Sequence, residues 1–451
     1  MSQLQQGPAS EPGSSTDEHK MQLSIEYIRE LRILGVYPST HRGYVMIRIK
    51  IPGGILRAEK ARGLSLIADR FSTGELYITN RMSLQLHRVP QNDAMAVLEA
   101  LEGLGMSTRG ACGGAVRGIS VNTPLAPEAP VLRRFALRLH GFFAGNPDFE
   151  GLPKKIKIGL DAEYDKSRHL AQDIGLVYAG QRTGKSLYDI WLGGGLGRKP
   201  HEAYLYAEKV PEDEVLYQAQ AVVNVYKKRV RSRRRLKLLI EEEGPDALSY
   251  YVRKERAALP VADEKPRPED DGPSEFEDYI RLYYFAGRLP ADELRKLADL
   301  SELHCGGTII LIPDQGAALP LLKNEEKPRI LHALSEAGLD TTGDNGRIMT
   351  RICPGSHECR VGLSPTREVA VAVLDTLGQQ KEGFTLAVSG CRNSCTQPQL
   401  ADLGIITLKP FRDQDGESIP RFTLLKRNGS SFGKAVVENV GLEELLETVK
   451  S

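Results

Sequence analysis

An α+β protein with two pseudo-symmetric lobes is the fold that this 451-residue sequence predicts. Three observations lead there. The chain repeats itself, each repeat mixes strand and helix periodicities, and a stretch rich in proline and acid separates the repeats. Displaced by 233 residues, "PGGILRAEKARGLSLIADRFSTGELYI" lies on "FAGRLPADELRKLADLSELHCGGTIIL", with identities at Arg48/Arg281, Gly54/Gly287, Leu64/Leu297, Gly74/Gly307 and Gly105/Gly338. Two copies of one unit are implied, since a solenoid needs three or more short repeats. The length suits two or three domains with a large buried core.

The elements follow in order. Residues 1–20 are polar and rich in Pro, Ser and Gly, which predicts a disordered arm. Residues 44–51 alternate as a half-buried strand does. Residues 58–71 carry Leu64, Ile67, Ala68 and Phe71 at helical spacing. Residues 75–88 are strand-like again, and Asn92 is a candidate cap for a helix bearing Met95, Leu98 and Leu101. The segment 259–274 (LPVADEKPRPEDDGPS) predicts the linker, after which the same order recurs.

Composition excludes several classes of function. Hydrophobic residues make up 41% and charged residues 26%, the balance of a soluble globular protein. A net charge of +1 gives no overall field to recruit nucleic acid or a membrane surface. No apolar run has the length of a membrane span, and the N-terminus lacks an apolar signal core. Six cysteines without an export signal predict a reducing cytoplasm, where thiolates bind metal in preference to forming disulfides.

Four of those cysteines carry most of the chemistry. Cys353 and Cys359 form C-x5-C, and Cys391 and Cys395 form C-x3-C. Short loops of this kind can aim two sulfurs at one point, as metal centres require. A four-thiolate zinc site is the bland alternative, but zinc ribbons favour C-x2-C knuckles. Cys112 and Cys305 are scattered and predict ordinary core thiols. His357, between two of the clustered cysteines, predicts packing or solvation.

Strand faces supply cations. In YVMIRIKI, Val45, Ile47, Ile49 and Ile51 face one side and Arg48 and Lys50 the other. In NRMSLQLHR, Met82, Leu84 and Leu86 oppose Arg81, Gln85 and His87. In KKIKI, Ile156 and Ile158 oppose Lys155 and Lys157, and Arg117 follows a glycine turn at Gly113 and Gly114. Any one strand could simply present a solvated face. The second repeat, however, replaces Arg81, Gln85 and His87 by Asp314, Ala318 and Pro320 while keeping Leu86 as Leu319. A basic face retained in one copy alone points to an anion site. The segment GQRTGKS, Gly180 to Ser186, has one residue too few between its glycines for a phosphate-binding loop. The run KKRVRSRRRLK, Lys227 to Lys237, predicts a solvated helix face, or a docking patch for an acidic electron donor.

These residues resemble the siroheme-dependent nitrite and sulfite reductases, from about residue 30 to 405. "CPGSHEC" and "SGCRNSC" resemble the family's cluster motifs, "RIKIPGG" its R-x-R-x-P-G-G strand, "TNRMSLQLH" its T-x-R-Q-x-x-Q-[FL]-H segment, "LPKKIK" its L-P-[RK]-K-[FI]-K segment, and "WLGGGLG" its glycine loop beside siroheme. Gly118 and Arg392 stand where the family usually has Asn and Pro. The resemblance implies ferredoxin-like halves at 21–110 and 275–343, and cofactor-binding domains at 111–258 and 344–451. It implies a [4Fe–4S] cluster on Cys353, Cys359, Cys391 and Cys395, with Cys395 also the axial ligand of siroheme iron. Arg48, Arg117, Lys155 and Lys157 would surround the substrate anion. Arg81, Gln85 and His87 would hold the macrocycle's carboxylates, with Gly193, Gly194 and Gly195 beside it. A cofactor bearing eight carboxylates needs such a basic cradle. The implied reaction is six-electron reduction of nitrite or sulfite. No flavin or nicotinamide fingerprint occurs, so electrons are expected from ferredoxin or a flavoprotein subunit. The alternative is a related cobalamin-pathway enzyme, precorrin-3B synthase, whose relatives are not expected to keep the Lys155–Lys157 pair. A non-catalytic electron-transfer homologue would have no use for the four cations.

Overall fold

The computed structural model describes residues 25–231, 233–260, 275–339, 348–378, 383–412 and 418–450. The expected arm at 1–20 and nearly all of the expected linker lie outside these residues.

The first lobe begins with a short helix α1 (Ile25–Glu30), then β1 (Val36–Pro38), β2 (Tyr44–Ile49), β3 (Ile55–Arg57), α2 (Ala58–Phe71), β4 (Glu75–Ile78), β5 (Leu84–Pro90) and α3 (Ala94–Gly103). The stretch expected as one strand over 75–88 is thus a hairpin, because Met82 takes φ 54° and turns the chain. Asn92 does not cap α3. It lies in a single 3-10 turn over Gln91–Asp93, and the helix starts at Ala94 without a side-chain cap. Ile47, Ile49, Leu64, Ala68, Leu76, Leu84, Leu86 and Leu101 are all fully buried between sheet and helices, as the two periodicities require.

The second lobe repeats the order with β11 (Asp278–Tyr283), β12 (Arg288–Pro290), α8 (Ala291–His304), β13 (Thr308–Ile312), β14 (Gly316–Leu321) and α9 (Lys327–Glu336). The lobes exchange strands. One sheet runs β1-β2-β5-β4-β12 and the other β11-β14-β13-β3. Leu56 faces Ile309 across β3–β13, and Leu76 faces Leu289 across β4–β12. These two registers are related by the same displacement that relates the sequences. Both crossings begin alike, since Ala58 N–H donates to Gly307 O at 3.0 Å and Ala291 N–H to Gly74 O at 2.8 Å. Helices α2 and α8 pack together, with Arg62 paired to Asp299 and Glu302, and its repeat mate Arg295 to Asp69.

An α/β domain follows each lobe. The first comprises β6 (Ser120–Val121), α4 (Ala129–Phe143), β7 (Ile158–Asp161), β8 (Ile174–Arg182), β9 (Lys185–Leu192), β10 (Tyr204–Pro211), α5 (Glu212–Arg229), α6 (Lys237–Glu243) and α7 (Pro245–Ala258). The second comprises β15 (Ile348–Ile352), a one-turn α10 (Gly355–Glu358), α11 (Thr366–Leu377), β16 (Phe384–Ser389), β17 (Leu403–Arg412), β18 (Ser418–Lys426), β19 (Lys434–Val440) and α12 (Leu442–Lys450). In both sheets the first three strands are parallel and the last two antiparallel. Matching details support a second duplication. Asp173 accepts from Lys157 N–H at 2.8 Å, as Asp402 does from Thr385 N–H at 2.9 Å. Gly175 and Gly404 each stand where a Cβ would strike a carbonyl, of His169 and Pro398 respectively. The GQRTGKS segment is the hairpin between β8 and β9, turned by Thr183 and Gly184 at positive φ, in agreement with rejecting a phosphate loop.

Candidate functional site

The polar face of the first sheet is built by strand pairing. Arg48 on β2 lies opposite Gln85 on β5, and Gln85 lies opposite Tyr77 on β4. With the Gln85 amide oriented by its partners, its oxygen accepts from Arg48 at 2.6 and 3.0 Å and its nitrogen faces His87 Nε2 at 3.1 Å. His87 packs edge-on to Tyr77 at 4.6 Å between ring centres. Burial, reinforced by Arg48, takes the His87 pKa down to about 3, so the ring is neutral, and its Nδ1 has no partner among the described residues.

The first α/β domain brings the other cations to this face. Arg81, in the β4–β5 turn, donates to Gln172 Oε1 at 2.7 Å, Gly118 O at 2.8 Å and Ile158 O at 3.0 Å. Arg117 donates to Gly110 O at 3.0 Å and Gly113 O at 2.9 Å. Burial lowers both guanidinium groups to about 10, so they stay charged at neutral pH. Burial beside Arg235 and Arg117 pulls Lys155 down to about 7, and burial beside Lys155 and Arg235 pulls Lys157 well below the ordinary lysine value. Neither lysine amine has a hydrogen-bond or ion-pair partner among the described residues. The sequence-predicted cations therefore form one cluster in which Arg48, Arg81, Arg117, Lys155 and Lys157 feel each other's charge.

Asp173 and Arg235 anchor this cluster. The Asp173 carboxylate is fully buried, receives the Lys157 amide, and holds the Arg235 guanidinium at 2.8 and 2.9 Å. Lys237 donates to Gly195 O at 3.1 Å and Leu196 O at 2.9 Å, pinning the loop after β9. In that loop a Cβ on Gly193 would strike Ile240, one on Gly194 would lie 2.1 Å from Leu170 O, and one on Gly195 would crowd Arg235. Backbone packing against neighbouring segments thus demands the three glycines. This corrects the reading of the basic run. Helix α5 ends at Arg229, and although Lys227 to Arg229 face outward, Arg235 and Lys237 are buried. Lys50, placed by the alternation on the face of Arg48 but not assigned to the site, is 3% exposed beside Arg117.

The cysteines lie on two loops at the ends of parallel strands β15 and β16. Cys353 and Cys359 flank α10, and Cys391 and Cys395 follow β16. Three glycines allow the loops to touch. Gly355 (φ 58°) lies where a Cβ would meet Thr366 and Ser364 O, Gly362 packs on Gly355, and Gly390 packs on Gly355 and Cys353. Gly390 N–H donates to Cys353 Sγ at 3.1 Å, and further amide hydrogens reach Cys353 from Gly355, Cys359 from Val361 and Gly362, and Cys391 from Asn393. Burial outweighs these donors and raises Cys353 to about 12 and Cys391 to about 11. Such amide donors are of the kind that tune iron–sulfur ligands. Among the described residues no three His, Cys, Asp or Glu side chains close on a single point where one ion would sit. The sulfurs therefore do not form a compact zinc tetrahedron, whose ligands stand about 2.3 Å from the metal. Cys353 and Cys391 each feel the charge of Cys359 and Cys395, so the two loops share one site.

The two halves of the site meet. Asn80 donates to Cys395 O at 2.7 Å, Cys395 acts on Lys155, and Arg48 acts on Cys359. Gln315 bridges Ile78 O and the backbone of Ile352. Cys395 is the exposed thiol of the four. Unpartnered lysine amines on one side and an open thiol on the other fit an anionic macrocycle between them. Cys112 and Cys305 are buried as expected, although Cys112 Sγ lies 3.7 Å from Arg48. His357 pairs with Glu368 at 2.8 Å. No helix among the described residues is long and apolar enough to cross a membrane.

A family model described as "Nitrite and sulphite reductase 4Fe-4S domain" matches residues 127–259, and one described as "Nitrite/Sulfite reductase ferredoxin-like half domain" matches residues 37–104 and 277–337. The first match covers the α/β domain that contains none of the four clustered cysteines. Sulfite reductase [ferredoxin] 2 of Mycolicibacterium paratuberculosis is 27% identical over 408 residues, covering 83% of this chain and 71% of the relative. Ferredoxin–nitrite reductase of Synechococcus elongatus is 26% identical over 417 residues, covering 85% and 80%. The NADPH sulfite reductase hemoprotein beta-component of Methylocella silvestris is 24% identical over 466 residues, covering 90% and 78%. The solved structure of Mycobacterium tuberculosis NirA protein superposes with a TM-score of 0.79 at 22% identity, covering 95% of this chain and 87% of the other. That likeness establishes the shared fold.

Proposed function

Because the chain belongs to the nitrite and sulphite reductase family, whose two domain models together match more than half of it, we propose that it catalyses the six-electron reduction of nitrite to ammonia or of sulfite to sulfide. The observation that supports this reading best is the meeting of four coupled thiols with a cluster of half-buried cations whose lysine amines have no partner among the described residues. In this reading Cys353, Cys359, Cys391 and Cys395 would hold a [4Fe–4S] cluster, and Cys395 would also hold the siroheme. Arg81, Gln85 and His87 hold the macrocycle's carboxylates beside the Gly193–Gly195 loop. When bound, these groups supply a metal centre for the anion and a path for electrons taken one at a time. The protein's part is electrostatic. Arg48, Arg117, Lys155 and Lys157 bind the substrate anion and stabilise charge on its oxygens. Lys155, titrating near neutrality, holds and gives up a proton where a departing oxygen needs one.

Ferredoxin or a flavoprotein is the proposed donor, and relatives named for each kind of donor match the chain. We assign residues 21–110 and 275–343 to ferredoxin-like halves and 111–258 and 344–451 to cofactor-binding domains, in a protein of the cytoplasm. The test is steady-state turnover of both anions with a reduced viologen dye, together with the visible spectrum of anaerobically purified protein. Siroheme bands and turnover of either anion are expected. Cluster absorption without siroheme, and no turnover of either anion, would overturn the proposal in favour of a precorrin-3B synthase-like enzyme.

A further inference from the structure

One buried carboxylate beside the cysteine loops takes no part in the site as described. Glu358 immediately precedes Cys359 on the one-turn helix α10, and its side chain is 5% exposed. A carboxylate so buried needs a counter-charge. It finds one in the first lobe, 270 residues away in sequence. Arg88 Nε donates to its two oxygens at 2.9 and 3.2 Å, and Arg88 Nη2 to Oε1 at 2.8 Å. His41, from the loop before β2, places Nε2 at 3.4 Å from the same carboxylate and at 2.8 Å from His357 O.

The backbone shows how Arg88 comes to point there. Along β5, Leu84 and Leu86 face the core, so strict alternation would send residue 88 inward as well. The pairing with β2 slips instead. Ile47 faces Leu86 and Val45 faces Val89, so one residue on β2 opposes two on β5. Arg88 takes φ 53°, a left-handed conformation rare for a non-glycine residue. Val89 then drops into the core at 0% exposure, and Arg88 swings to the polar face. Bulges of this kind re-aim side chains beside functional sites.

We propose that Arg88, aimed by this bulge and assisted by His41, is a positioning residue that seats the C-x5-C loop on the first lobe and neutralises the carboxylate beside Cys359. The proposal rests on the reading of the four cysteines as cluster ligands. Its consequence is a reduction potential. Accepting one electron from the external donor adds one negative charge at the cysteines and breaks no bond. A bare carboxylate next to a ligand opposes that charge, whereas the Arg88–Glu358 pair does not.

The test compares Arg88→Met, Arg88→Lys, Glu358→Gln and the double variant Arg88→Met/Glu358→Gln. Iron and labile sulfide are assayed, and the midpoint potential is read by EPR-monitored titration. Arg88→Met should shift the potential negative, Glu358→Gln should shift it positive, and the double variant should return close to wild type. Arg88→Lys should fall between Arg88→Met and wild type. Loss of iron from Arg88→Met with no change in the potential of the cluster that remains would overturn the proposal and leave a purely structural contact. So would a double variant no closer to wild type than Arg88→Met. Iron-free wild-type protein would overturn the cluster reading and this proposal with it.

Discussion

Replacing Asp314 by Asn should lower the melting temperature of the protein by about 3–5 °C at pH 7. Asp314 stands in the second repeat where Arg81 stands in the first, and it joins three parts of the molecule. Its Oδ1 accepts from Arg168 of the first α/β domain at 2.8 Å and from Arg351 on β15 at 2.9 Å. Arg168 and Arg351 are 5% and 2% exposed. Burial alone would raise the Asp314 pKa, but the two guanidinium groups overcome it and hold the carboxyl well below its ordinary range. Asparagine keeps the shape and removes the charge, leaving two buried cations facing each other. Breaking a buried pair costs about 3–5 kcal/mol. An unfolding entropy of roughly 2.1 cal/mol/K per residue amounts to about 0.9 kcal/mol/K over the chain, which gives the stated fall for cooperative unfolding. The assay is calorimetry of wild type and Asp314→Asn at one scan rate across pH. A depressed folded pKa contributes stability above the unfolded value near 3.8 and loses it as pH falls toward the folded value. The gap between the proteins should therefore be constant from pH 5 to 8 and close below pH 4. A variant melting within about 1 °C of wild type at pH 7 would refute the reasoning.

Other outcomes follow from the site. Cys395→Ser should abolish both the coupled cluster–siroheme EPR signal and turnover; retained activity would show that Cys395 is not the shared ligand. Lys155→Met should cut turnover far more than siroheme content, and equal loss would make the lysine a cofactor anchor instead. In cofactor-free protein the same change should raise the melting temperature near pH 7, with the gain shrinking toward pH 10. The reason is that a lysine whose folded pKa lies near 7 binds fewer protons than the unfolded chain across that window. Gly194→Ala should cost about 1–3 kcal/mol and reduce siroheme content, because its Cβ would sit 2.1 Å from Leu170 O; unchanged stability in chemical denaturation would exclude that clash.

What could be foreseen from the sequence depended on distance along the chain. The alternation that separates Arg48 from Ile47 and Gln85 from Leu86 is local, and so is the spacing of Cys353 from Cys359. Both survive intact in the structure. Arg235 was hidden in a basic run because its counter-ion, Asp173, lies 62 residues earlier. Glu358 needed Arg88, 270 residues away, and a bulge that no alternation pattern announces. The matching connectivity of the two α/β sheets left little trace in residue identity, because a strand order can persist when its side chains do not. Asn92 failed as a cap because the chain first makes a 3-10 turn and enters α3 one residue beyond Asp93.

The exchange of strands between lobes has a bearing on how the molecule is made. Leu56 must wait for Ile309, which leaves the ribosome roughly 10–50 s later at ordinary rates of synthesis. Through that interval β3 and the outer side of β4 are open edges, available to any passing strand. The N-terminal lobe cannot finish before the C-terminal one exists, so the ancestral gene doubling left two units that fold as a single obligate partnership. Cutting the gene at the linker would yield two fragments, each lacking the other's strand, soluble only when produced together.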